Sequence, residues 1–218
     1  DRYRKQGYRD QLAGTLHCLA SVLRLKGDLV AARSHLEEAV SISRGSGHRS
    51  YLANHFGELG RIARLEGKPA DAQALLEEAL ATKRELGERS AVAESLRFLA
   101  LLRIDSGEHP TALPLLHESL EIAQSVGARP ALAENLELLA QIAALRERWT
   151  EAAQLLGAAE ALRKTMDLMV EPEYQSAREA AAEQARSALG DEALEALLER
   201  GRSLSRDEAV SLAMELSV

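Results

Sequence analysis

Four segments of this chain share one apolar template at a spacing of 40 residues, and that spacing limits what the chain can fold into more than any other feature. Leu16, Phe56, Leu96 and Leu136 occupy one position of the template, and Leu19, Leu59, Leu99 and Leu139 the next. Small residues follow at Ala20, Gly60, Ala100 and Ala140, then at Ala32, Ala72, Ala112 and Ala152. Leu36, Leu76, Leu116 and Leu156 come next, with Ala39, Ala79, Ser119 and Ala159 closing the unit. A fixed period of this size indicates stacked supersecondary units, none of which buries its apolar face alone.

Within each unit two apolar runs have helical spacing. Phe56, Leu59, Gly60 and Ala63 fall at i, i+3, i+4 and i+7, one face of a helix. Glu66-Gly67-Lys68-Pro69 ends that helix, because glycine accepts a left-handed cap and proline suits the first turn of the next helix. Ala72, Leu75, Leu76, Ala79 and Leu80 then form the inner face of a second helix. Gly27 and Gly107 repeat the first mark, and Gly47, Gly87 and Gly127 mark the turns between units. Glu147 stands where glycine would be in the fourth unit, and a turn of another shape is expected there. The alanines allow two antiparallel helices to approach closely, where a larger group would overpack the contact at a cost of about 1–3 kcal/mol.

Composition agrees with helix packed on helix. Aromatic residues are only 3% of the 218 residues, so Leu, Ala, Ile and Val must build the core. A net charge of -7 argues against a broad basic surface for direct nucleic-acid contact. One cysteine, Cys18, excludes an intrachain disulfide and fits a reducing compartment; in an apolar helix it reads as a small buried hydrophobe. No run approaches the ~18 apolar residues of a membrane span. The chain opens on Asp1 without a basic-then-apolar leader, which reads as a piece of a longer cytoplasmic polypeptide.

No pattern for catalysis stands out. Gly67-Lys68-Pro69 lacks the hydroxyl and upstream glycine of a phosphate loop. In His117-Glu118-Ser119-Leu120-Glu121 the second histidine of a zinc-binding helix is replaced by Glu121. No catalytic residue, cofactor or metal is therefore expected.

These residues resemble the tetratricopeptide repeat (TPR). In the first unit its pattern is carried by Leu16, Leu19, Ala20, Leu23, Ala32, Leu36 and Ala39, and the resemblance covers about residues 10 to 168. The 40-residue period exceeds the family's usual 34, which longer helices would absorb. The resemblance implies an all-α, right-handed superhelical solenoid of helix hairpins: four over 1–168, then acidic capping helices over 169–218. Pro172, Gly190 and Gly201 divide the latter into helices near 172–189, 191–201 and 205–217, the last opened by a Ser205/Glu208 capping box. From Glu171 to the end there are 11 acidic and 5 basic residues.

The stretch Leu156-Gly157-Ala158-Ala159-Glu160-Ala161-Leu162-Arg163 is similar to the C-terminal region of large bacterial ATP-binding (STAND, LuxR-type) regulators. So are Tyr174, Ala188-Leu189-Gly190 and Gly201-Arg202-Ser203-Leu204-Ser205 with Glu208-Ala209-Val210. That likeness implies a sensor or scaffold arm controlling an ATPase switch, binding a protein or peptide or the ATPase domain of its own chain. Small-molecule sensing, by resemblance to the maltose-responsive regulator, and peptide-pheromone reception are the alternatives. In tetratricopeptide arrays the first helices line the groove, which assigns a ligand face to His17, Arg24, Asn54, Arg61, Arg64, Arg97, Leu101 and Gln141. The four arginines point to an anion or peptide carboxylate, or else to internal pairs with Glu58 or Glu94.

Overall fold

The computed structural model describes residues 2–164 and 171–216, with side chains from Gly7 onward. Every regular element among them is an α-helix, as the template predicts. The chain divides into two compact units, Asp1–Leu102 and Arg103–Val218. The expected boundary near residue 168 lies outside the described residues.

The first unit contains α1 (Arg2–Leu25), α2 (Leu29–Ser46), α3 (Arg49–Leu65), α4 (Pro69–Glu85) and most of α5 (Arg89–Asp105). Consecutive helices α1/α2 and α3/α4 pack as hairpins. Asp28 starts α2 by accepting the Ala31 N–H at 3.1 Å, and Pro69 starts α4, where its missing N–H costs nothing. Ala20, Ala32, Leu36, Val40, Phe56, Leu59, Ile62 and Ala79 form one core cluster. Burying a leucine such as Leu36 or Leu76 completely contributes roughly 1.5–3 kcal/mol. The close approach of α3 and α4 is visible at Gly60, where an added Cβ would lie 2.7 Å from Leu76 Cγ.

One expectation fails on α1. Leu59, Leu99 and Leu139 are buried, but Leu19 is 42% exposed, and Cys18 is exposed rather than buried. In the later repeats this face of the first helix lies in the core; Phe56, Leu59 and Ile62 of α3, for example, pack with Leu36 and Val40 of α2. On α1 the same strip, Leu12, Leu19 and Val22, remains in water.

The second unit contains α6 (His109–Val126), α7 (Arg129–Leu145), α8 (Trp149–Lys164), α9 (Pro172–Leu189), α10 (Asp191–Arg202) and α11 (Arg206–Met214). Helices α7 and α8 form a hairpin, with α9 packed on both and α10 on α8. The Ser205/Glu208 capping box opens α11 as expected.

Two features differ from the sequence reading. The helix expected over 191–201 ends at Arg202, but Gly201 stands in its last turn without a left-handed conformation and is buried there. A Cβ there would lie 2.1 Å from Gln154 O of α8, and one on Gly157 would lie 2.1 Å from Leu198 O of α10. The two glycines let these backbones touch. Glu147, in turn, keeps the turn shape of its glycine counterparts, with φ 61° against 72° at Gly67 and 73° at Gly107. The bond that fixes this turn recurs as well: Arg148 N to Ala143 O is 2.9 Å and Lys68 N to Ala63 O is 2.9 Å. Hairpin packing imposes the left-handed conformation on whichever residue stands there.

Candidate functional site

In the first unit, polar side chains collect where α1, α3, α4 and α5 face one another. Their backbones are fixed by apolar positions on either side: Leu16 and Ala20 on α1, Phe56 and Leu59 on α3, Leu96 and Leu99 on α5. Side chains between those anchors are carried into the interior whatever their polarity.

His55 is 1% exposed. Its Nδ1 is 3.2 Å from His17 Nδ1, and its Nε2 is 3.0 Å from Ser43 Oγ. Burial, and next the neighbouring His17, push the His55 pKa down to about 4. His17 is also held below its ordinary value, chiefly by burial. Both rings are therefore neutral at pH 7, so one Nδ1 can donate to the other.

Below the histidines, Arg24 Nε donates to Glu58 Oε1 at 2.7 Å and Arg61 Nη1 to Glu58 Oε2 at 3.2 Å. Arg61 also lies over the Phe98 ring at 4.2 Å. Burial opposes ionisation of Glu58, but Arg61 and Arg24 outweigh it and hold the carboxyl below its usual value.

A cavity of about 220 Å3 opens beside this cluster, lined by His17, Asn54, Gly57, Glu58, Lys83, Glu94 and Phe98. The Lys83 side chain is 2% exposed, and its Nζ lies 3.4 Å from Oε2 of Glu94, whose side chain is 46% exposed. A fixed, buried cation thus faces a carboxylate that is free to move toward water.

Of the eight residues assigned to a ligand face, His17 and Asn54 line this cavity. Arg24 and Arg61 hold Glu58, which is the internal pairing the sequence left open. Arg64 is half-buried near the end of α3, outside the cavity lining. Arg97 and Leu101 are buried on α5. Gln141 belongs to the second unit, where its Oε1 is buried without a hydrogen-bond partner among the described residues. His117, on which a zinc-helix reading turned, is instead 3.2 Å from the Ala213 carbonyl of α11.

Sequence reasoning missed Lys83, His55 and Phe98. Lys83 looks like part of a solvated face, yet it shares a template position with Ser43, Ala123 and Arg163. Three of those four carry a polar group: Ser43 meets His55, Lys83 meets Glu94 and Arg163 meets Glu137. That column was the available signal.

The second unit has its own charged cavity, of about 630 Å3, lined by Glu160, Arg163, Lys164, Arg178, Glu199 and Arg202 among others. Arg202 bonds Glu160, Glu195 and Glu199 at 2.7–3.0 Å, and Arg163 bonds Glu137, so much of its charge is matched internally. No helix among the described residues is long and apolar enough to cross a membrane.

Comparison with known proteins gives the same architecture. The tetratricopeptide repeat family matches residues 11–85 and 91–165. A crystal structure of a Podosopora anserina putative kinesin light chain with nearly identical TPR-like repeats is 20% identical, with a TM-score of 0.62 over 96% of this chain and 99% of that one. A single-substitution variant of that same protein is also 20% identical, with a TM-score of 0.63 over 90% of this chain and 95% of that one. At this identity the likeness concerns the fold. No curated protein matches the sequence.

Proposed function

The chain belongs to the tetratricopeptide repeat family, and from that premise we propose that it is a non-catalytic module for binding a protein or peptide. In this reading it is the C-terminal sensor or scaffold arm of a larger bacterial signal-transduction ATPase or transcriptional regulator. The observation that carries the binding half is the polar cavity of the first unit. Three successive first helices and the end of a second helix hold charged and amide groups around one opening. The regulatory half rests on the likeness of residues 156–163 and 201–210 to such regulators. The mechanism is a population shift, in which a ligand that favours one arrangement of the repeats biases the attached switch.

Small-molecule sensing in the first-unit cavity has less support. Ligand pockets usually enclose about 300–1,000 Å3, and about 220 Å3 admits one side chain of a larger partner.

Panning a random linear-peptide library on the folded chain tests the binding half. Related sequences that compete with one another and fail to bind the urea-unfolded chain are expected. Recovery of unrelated sequences alone refutes it. For the regulatory half, deleting these residues from the natural full-length polypeptide should change its rate of nucleotide hydrolysis; a full-length chain without nucleotide hydrolysis refutes that half.

A further inference from the structure

We infer that the cavity between α1, α3, α4 and α5 seats one carboxylate of an acidic peptide side chain, held on Lys83 Nζ with the Asn54 amide beside it. The inference rests on the peptide-binding reading above and names the group recognised.

The chain itself contains the filled form of this seat. The 40-residue register places Lys83 and Arg163 at one template position, and Gly57 and Glu137 at another. In the fourth repeat Glu137, fully buried, accepts from Arg163 Nε at 2.7 Å and from Nη2 at 2.6 Å. In the second repeat Lys83 stands at the arginine's position and Gly57 at the glutamate's. A Cβ built on Gly57 would lie 3.8 Å from Lys83 Nζ, an ordinary contact distance. The cavity therefore stands where an acidic side chain would reach the cation.

Charge and donors agree with that occupant. Lys83 is a buried cation whose printed ion pair is with the half-exposed Glu94, and one carboxylate from a ligand would match its charge. Glu58 is held by two arginines, Arg24 and Arg61. Glu94 is the present partner, but at 3.4 Å and 46% exposed it can turn aside into water. The Asn54 amide lines the cavity and makes no hydrogen bond among the described residues, which leaves two donors for it to offer. A volume of about 220 Å3, roughly seven water volumes, has room for an aspartate or glutamate side chain with water beside it.

The test is a backbone amide NMR titration of the whole 218-residue chain with three probes: N-acetyl-aspartate methylamide, its neutral asparagine counterpart, and inorganic phosphate. Saturable shifts confined to the surroundings of Asn54, Gly57 and Glu94 are expected with the aspartate probe, and none with the asparagine probe. Lys83→Met should weaken aspartate binding by roughly tenfold or more, the loss of a charge-assisted hydrogen bond. Glu94→Gln should strengthen binding by removing the internal competitor. Gly57→Glu should reproduce the Glu137 arrangement: it is expected to melt no lower than the parent and to abolish the titration. If Lys83→Met fails to fold, Asn54→Ala and Gly57→Glu carry the test. Equal binding of the asparagine probe, tighter binding of phosphate, an unsaturable response, or an unchanged titration in folded Gly57→Glu overturns the inference. If panned peptides bind the Lys83 and Gly57 variants as well as the parent, the carboxylate seat fails while the peptide-binding module stands.

Discussion

The crossing of α8 and α10 allows a substitution whose local and tertiary effects have opposite sign. Replacing glycine by alanine inside a helix normally stabilises it by about 1 kcal/mol. At Gly157 the new Cβ would sit 2.1 Å from Leu198 O, 2.9 Å from Leu198 C and 3.0 Å from Arg202 N. At Gly201 it would sit 2.1 Å from Gln154 O and 2.8 Å from Gln154 C. These neighbours are helix backbone, so no rotamer change relieves the contact. The helices must part by about 1 Å, and a gap of that size forfeits a quarter to a half of each lost dispersion contact. Overpacking of this kind costs about 1–3 kcal/mol, and contacts around Leu194, Leu197 and Leu198 weaken with it. After subtraction of the propensity gain, a net loss of about 1 kcal/mol remains for either Gly157→Ala or Gly201→Ala, or a melting point lower by about 5 °C. The only tryptophan, Trp149, opens α8, so its fluorescence during urea or thermal unfolding follows the second unit selectively. Gly14→Ala, inside α1 with nothing within 4 Å of its Cβ, is the control and should stabilise, as followed by circular dichroism. If Gly157→Ala melts at or above the parent temperature, backbone contact between α8 and α10 is refuted.

Other substitutions follow from the same geometry. Glu147→Gly should stabilise by about 1 kcal/mol, because a side chain at φ 61° bears left-handed strain that glycine lacks; an unchanged urea midpoint would contradict this. Ala72→Leu should lower the melting temperature clearly, since Ala72 is fully buried and its carbonyl would lie 3.3 Å from a Cβ on Gly60; a mutant melting like the parent would remove the close α3–α4 contact. Acidification should destabilise the first unit through His55, whose folded pKa of about 4 lies below the ordinary 6.5. Between those values the unfolded chain takes up a proton that the folded chain refuses. Stability is thus complete above pH ~6.5 and falls by about 3 kcal/mol as pH drops to ~4. His55→Asn, the residue found at the equivalent Asn135, should flatten that part of the profile in urea melts; an equal slope in parent and variant would exclude His55 as the cause.

The hairpins and their turns were legible because the forces that set them are local. A leucine every third or fourth residue, a glycine at the left-handed position and a proline at the next helix start each act within a few residues. The helix end near Gly201 was legible, but the glycine's second use, admitting a neighbouring backbone, was not, because only the position of α8 reveals it. Cys18 and Leu19 were misplaced for a related reason: a face is buried only if something covers it, and periodicity reports the face without the cover. The candidate site was half legible. His17 and Asn54 lie on the predicted helix faces, and the Arg24 and Arg61 pairing with Glu58 was among the readings left open. Lys83 was not found, since its fate depends on a column of the repeat meeting a second column on another helix.

The exposed strip on α1 matches the surface that α2 covers on α3. Another hairpin ending in a helix like α2 could be grafted before α1 with no new type of packing, since α2 already meets the same surface of α3. Behind α8 the situation is reversed, because α9 and α10 occupy that helix and a glycine crossing tailored to one neighbour admits no standard unit. Lengthening such a scaffold is therefore an operation for its beginning. The gain would be solubility as well as reach, because the graft would take Leu12, Leu19 and Val22 out of water.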